Sequence, residues 1–126
     1  MKTYQGWRGP EGTLVTVDGQ PLEPRLDLLS LAAEGFEWGY QGNGPGQLAL
    51  ALLADALGDD ARALALHRAF RDEVVVFLSG DEWALSEAQV RRAVADLERS
   101  AQARADDGVV EVPMTLEELL NKVRGR

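Results

Sequence analysis

The sequence predicts an α+β fold, with a small N-terminal antiparallel sheet of three or four strands packed on a buried central helix and two further helices. Three observations predict it. The N-terminal third alternates apolar and polar side chains between turn-forming residues, which is the period of a half-buried strand. Beyond a glycine-rich loop the period becomes helical. The first helix so defined is leucine and alanine almost all round, and a helix apolar on every face is buried on every face.

Lys2–Arg8 reads as a strand carrying Tyr4 and Trp7, and Gly9-Pro10-Glu11-Gly12 after it is turn chemistry. Thr13–Val17 is β-branched and alternating, and Asp18-Gly19 ends it with a hairpin turn. The two strands therefore form an antiparallel hairpin. Gln20–Pro24 holds two prolines and reads as an edge or a loop. Arg25–Leu31 fits either a short strand or one helical turn, and Phe36–Tyr40 alternates as a further strand.

Gly42–Gly46 then forms a loop, and Gln47–Leu57 is the central helix, with Pro45 suited to the first helical position and Gly58 to the stop. Asp59 or Asp60 caps a second helix, Ala61–Leu78, whose core face is Ala63, Leu66, Phe70, Val74 and Phe77. Ser86 and Gln89 make a capping box for a third helix, about Glu87–Arg104. A composition break at Ala105–Gly108 separates a domain over 1–105 from a C-terminal appendage over 106–126, comprising a short strand at Val109–Val112 and an amphipathic helix at Leu116–Val123. Leu116, Leu119, Leu120 and Val123 on that helix either pack back on the core or serve as an interface with a partner or a second copy.

The 126 residues include no cysteine, which removes disulfides, thiolate metal sites and a cysteine nucleophile, and a single histidine, His67. His67 lacks acids at helical spacing, so no metal site is expected, and no serine sits in a nucleophile elbow. No cofactor signature is present. The net charge of -8 is spread along the chain and disfavours direct nucleic-acid binding. No apolar run approaches the length of a membrane span, and the N-terminus lacks a signal-peptide core. The expected setting is cytoplasmic.

The candidate binding region is Glu37–Gln47. Gly42-Asn43-Gly44-Pro45-Gly46 before a helix superficially resembles a phosphate cradle, with Gln47 as a side-chain donor, yet it lacks the lysine of a P-loop and the third glycine of a dinucleotide fingerprint. Its plainer reading is a sharp turn that brings a buried helix close to the sheet. Glu37 is either a surface carboxylate beside core aromatics, a general base, or the partner of Arg8 in a cleft at the loop mouth. Asp27 is a candidate partner acid for it. Trp38, Tyr40 and Asn43 complete the set with Arg8, Glu37 and Gln47. Trp7, Trp38 and Trp83 belong to three elements. They are core and rim packing, or an interface anchor if exposed together.

The Phe36-Glu37-Trp38-Gly39-Tyr40 block continued by Gly42, Gly44-Pro45 and Gln47-Leu48-Ala49, with Tyr4-Gln5-Gly6-Trp7-Arg8 before it and Trp83-Ala84-Leu85-Ser86 after it, resembles a small domain family of unknown function found in bacteria, plasmids and phages. The resemblance covers roughly Lys2–Arg92 and implies an α+β domain in a bacterial or mobile-element setting, with no activity attached. Leu29-Ser30-Leu31-Ala32-Ala33 stands where the family has a more polar stretch. Two functions follow as expectations. One is a small acidic, non-catalytic protein that binds a protein partner or itself and modulates a host complex, anti-defence roles included. The other is a small-ligand or anion-binding domain, or an enzyme without a recognisable signature, using Glu37–Gln47.

Overall fold

The computed structural model describes residues 1–111, with side chains through residue 104. Four strands form one antiparallel sheet in the order β3-β2-β1-β4. They are β1 (Thr3–Gly9), β2 (Gly12–Val17), β3 (Gln20–Pro21) and β4 (Glu82–Ser86). The β1–β2 hairpin pairs Tyr4 with Val17 and Trp7 with Leu14. Asp18 and Gly19 both take positive φ, at 49° and 85°, the signature of a two-residue turn whose twist matches its strands. Side chains alternate along β1, so Tyr4, Gly6 and Arg8 face inward while Thr3, Gln5 and Trp7 face solvent.

The central helix, α1 (Asn43–Leu57), is buried from Gly44 to Ala54. It starts four residues before the expected Gln47, with Gly42 as its N-cap and no side-chain cap bond. Pro45 falls at its third residue, still in the first turn, where an amide has no intrahelical partner. Gly58 ends it in the left-handed conformation. Tyr4, fully buried, donates its hydroxyl to Asp55 at 2.7 Å, and Lys2 Nζ lies 3.1 Å from the same carboxylate. This tie fastens the far end of α1 to β1. Burial and the bond to Asp55 both push the Tyr4 hydroxyl well above its ordinary range.

Helix α2 (Asp60–Glu73) packs along α1, capped by Asp59, whose side chain accepts from the Arg62 amide. It stops short of the expected Leu78. Val74, Val75 and Val76 follow, and three β-branched residues in a row crowd a helical turn. The chain tightens there into a 3-10 turn, Val75–Phe77. The result inverts part of the expected core face, for Val75 is fully buried and Phe77 is 74% exposed. His67 is buried, its Nδ1 2.7 Å from the Leu64 carbonyl oxygen.

A further expectation needs correction. Phe36–Tyr40 is not a strand. Its backbone is irregular, Gly39 sits at φ 90° and donates its amide to Val75, and the fourth strand is Glu82–Ser86. Of the two alternatives for Arg25–Leu31, the turn is the one that forms, with the Leu28 amide bonded to the Arg25 carbonyl. The capping box forms as expected. Gln89 Oε1 accepts from the Ser86 amide at 2.8 Å, and Ser86 Oγ accepts from the Gln89 amide at 3.0 Å. It opens α3 (Glu87–Glu111), which runs beyond Arg104, so Val109–Glu111 are helical rather than extended. Compactness divides the chain into a first unit, Met1–Val94, and a second that begins at Ala95. In the second, the described structure is the remainder of α3, with Arg99 paired to Asp96. Val112 and the expected helix with Leu116, Leu119, Leu120 and Val123 lie outside the described residues.

Candidate functional site

Strand alternation and one irregular loop assemble the candidate residues. Arg8 is the last inward residue of β1 before the turn, and its side chain meets residues 37 and 38 on the inner side of the sheet. There Arg8 Nη2 bonds Glu37 Oε1 at 2.7 Å and the Trp38 carbonyl at 3.3 Å. Its Nη1 bonds the Gly80 carbonyl at 3.1 Å and lies 3.5 Å from Asp81 Oδ1. The guanidinium carbon stands 4.5 Å over the Trp38 ring, within cation–π range. Its hydrogen bond to Glu37, before any other cause, raises the Arg8 pKa above its already high ordinary value.

Trp38 is the floor of this assembly. It is 1% exposed and donates Nε1 to the Gly80 carbonyl at 3.0 Å. Its ring meets Trp83 edge-on, with centroids 5.6 Å apart at 84°. Trp83 in turn lies across Gly6, its strand partner, where a Cβ would fall 2.3 Å from the indole. Two of the three tryptophans thus face each other inside, and Trp7 alone is turned outward.

Gln47 has a different office from the one its position suggests. It is fully buried. Nε2 donates to the carbonyls of Pro24 and Leu29, at 2.7 and 3.0 Å, and Oε1 accepts from the amides of Leu31 and Ala32, at 2.7 and 3.1 Å. Both donors and the acceptor are therefore occupied by the strap over residues 24–32. The same strap is held at its start by Arg25, which bonds both Asp27 and Asp60. Asp27 is thus committed to Arg25 rather than placed beside Glu37.

The glycine loop is filled by its own neighbours. A Cβ on Gly44 would stand 2.8 Å from Glu37 Cβ, and one on Gly42 would stand 2.6 Å from the Tyr40 ring. Close packing is what these glycines permit. Beside them remains an open cleft of about 400 Å³, lined by Thr13, Glu34, Phe36, Glu37, Tyr40 and Asn43. Of the six candidates, Glu37, Tyr40 and Asn43 line it, Arg8 bonds Glu37 on its wall with Trp38 under the guanidinium, and Gln47 holds the amides of Leu31 and Ala32, which also line it. Two carboxylates on its wall oppose an anion. No group of histidine and acidic side chains suited to a metal ion occurs among the described residues. None of their helices is long and apolar enough to cross a membrane.

Sequence reasoning overlooked the solvent face of the sheet. Trp7 and Leu14 are direct cross-strand partners there, 36% and 51% exposed. A second cleft of about 410 Å³ runs beside them, bounded by Pro10, Glu11 and Gly12. Strict alternation from Tyr4 inward would have placed Trp7 and Leu14 on this face.

Fold and site define a small α+β domain in which a four-stranded sheet grips a buried helix through a web of arginine, tryptophan and glycine. The chain belongs to a family of unknown function, DUF6166, whose model matches residues 4–96. No curated protein and no solved structure matches it.

Proposed function

We propose that the chain is a small acidic, non-catalytic interaction protein of a bacterium or mobile element that binds a protein complex of its host in the cytoplasm and modulates it, anti-defence activity being one such role. The observation that carries this reading is the Trp7–Leu14 pair, standing exposed on the outer face of a sheet. Tryptophan anchors interfaces out of proportion to its frequency. Two of the polar candidates are committed to the fold. Arg8 is enclosed by Glu37, Gly80 and Trp38, and Gln47 by the strap. The test is a tagged capture from host lysate with nuclease added, run with the wild type, with Trp7→Ser/Leu14→Ser, and with a chain ending at Ala105. A stoichiometric protein retained by the wild type and lost by the double variant supports the reading. Loss only on truncation moves the interface to the C-terminal segment. No partner with any form counts against it.

A second reading, small-ligand binding, draws on the cleft that gathers Glu37, Tyr40 and Asn43. A thermal-shift screen of small ions and metabolites, repeated with Tyr40→Ala/Asn43→Ala, tests it. A ligand that stabilises both forms equally is bound elsewhere.

A further inference from the structure

The outer face of the sheet is poor in charge for a surface of this acidic chain. Register places Gln5, Trp7, Leu14, Ala84 and Glu82 side by side upon it, with Thr16, the partner of Gln5, buried among them. Glu82 is the only charged side chain on the solvent-facing side of the four strands. The bases of this region are turned inward by the same alternation, Lys2 onto Asp55 and Arg8 onto Glu37. The acids stay outside. Glu11 is exposed in the first turn, Asp18 in the second, and Glu82 on the edge strand. An uncharged centre with one aromatic anchor and a rim of one sign is the arrangement of an interface whose partner carries the opposite rim.

Resting on the interaction reading above, we propose that this face docks a protein segment with an apolar centre flanked by lysine or arginine. Apolar contact at Trp7 and Leu14 holds the segment, and Glu11, Asp18 and Glu82 select its charge. A second copy of this acidic chain would bring the same acids together, rim against rim, and is disfavoured for that reason.

The experiment uses the full chain, isotopically labelled, and two synthetic amphipathic peptides of equal length, one of leucine and lysine, the other of leucine and glutamate. Amide shifts are followed by NMR. The lysine peptide is expected to move Gln5, Trp7, Leu14, Thr16 and Ala84, and the glutamate peptide to move none. Trp7→Ser/Leu14→Ser should weaken the lysine peptide by at least about tenfold, and Glu11→Lys/Glu82→Lys should reverse the preference. Both variants alter exposed positions, and their folded spectra are checked first. Shifts centred elsewhere, or unaffected by Trp7→Ser/Leu14→Ser, overturn the proposal. If that variant abolishes binding while charge reversal changes nothing, the face stands as an interface and only its basic partner fails. Sedimentation of the free protein completes the test, since a dimer lost with Trp7→Ser would assign the face to a second copy and overturn the proposal.

Discussion

Replacing Gly6 with alanine sets two opposed effects against each other, and the structure decides between them. In the interior of a strand, alanine should help by about 0.5–1 kcal/mol, because it narrows the unfolded ensemble that glycine leaves wide. At Gly6 the new methyl would fall 2.3 to 2.6 Å from three atoms of the Trp83 indole, inside any real carbon contact. An exposed ring could swing away, but this one is braced edge-on against Trp38. Overpacking of this kind costs about 1–3 kcal/mol. Prising the rings apart forfeits about 0.5–1.5 kcal/mol more. The sum is a loss of about 2 kcal/mol, which for a domain of this size lowers Tm by roughly 7–10 °C. Urea unfolding followed by tryptophan fluorescence measures it, with near-ultraviolet circular dichroism reporting the Trp38–Trp83 pair directly. The decisive control is the cycle with Trp83→Leu. Once the indole is gone, Gly6→Ala should become neutral or mildly stabilising, a coupling above about 1 kcal/mol. A Gly6→Ala protein as stable as the wild type, or a cycle that adds simply, would refute the reasoning.

Other outcomes follow from the same contacts. Gln47→Leu strands the Leu31 and Ala32 amides and the Pro24 and Leu29 carbonyls, which lose their buried partner; partial rehydration of the strap limits the cost to about 3 kcal/mol, and hydrogen exchange at Leu31 and Ala32 should accelerate before global unfolding does. Gln47→Glu should be worse, since it points an oxygen at two carbonyls. Tyr4→Phe removes the donor to Asp55 while Lys2 remains, for a loss of about 1–2 kcal/mol in chemical denaturation. Glu87 accepts the Lys2 amide and pairs with Arg91, and these bonds, the first before the second, hold its carboxyl below the usual range. A carboxyl depressed in the folded state stabilises above its unfolded pKa of about 4.3 and loses that contribution as pH falls through the folded value. Stability measured from about pH 5 downward should therefore fall less steeply in Glu87→Gln than in the wild type.

The parts of the fold that were legible are those decided locally. The hairpin is written in Asp18-Gly19, the hub in an unbroken leucine–alanine helix, and the start of α3 in Ser86 and Gln89, whose reciprocal bonds span three residues. What misled was a competition that local pattern cannot judge. Phe36–Tyr40 and Glu82–Ser86 both alternate, and only one could extend the sheet beside β1. The choice falls to Glu82–Ser86 because Gly6 leaves room for Trp83, while Gly39 at φ 90° breaks the other run. Phe77 misled for a related reason, since its helical spacing holds only if the helix survives Val74–Val76. Of the candidate site, the pairing of Glu37 with Arg8 could be anticipated from charge. The role of Gln47 could not. Its partners are backbone groups 15 to 23 residues away, and backbone leaves no trace in sequence.

The residues that make this sequence distinctive are thus consumed by its architecture. Tyr4, Gly6 and Arg8 alternate along one strand, and each meets a residue from another part of the resemblance, namely Asp55 at the end of α1, Trp83 on β4 and Glu37 before the glycine loop. Glu37 itself packs on Gly44, and Gln47 secures the strap. A side chain bound this fully to its own fold has little left for a ligand. Binding must then be sought in the interleaved positions, and on β1 those are Gln5 and Trp7. The same alternation that buries the framework delivers a tryptophan-centred surface with Glu82 as its one charge on the opposite side, so the framework and the proposed recognition surface are separated by a single residue step along one strand. Substitutions at Tyr4, Gly6 or Arg8 should accordingly change stability first, and those at Trp7 or Leu14 should change binding first.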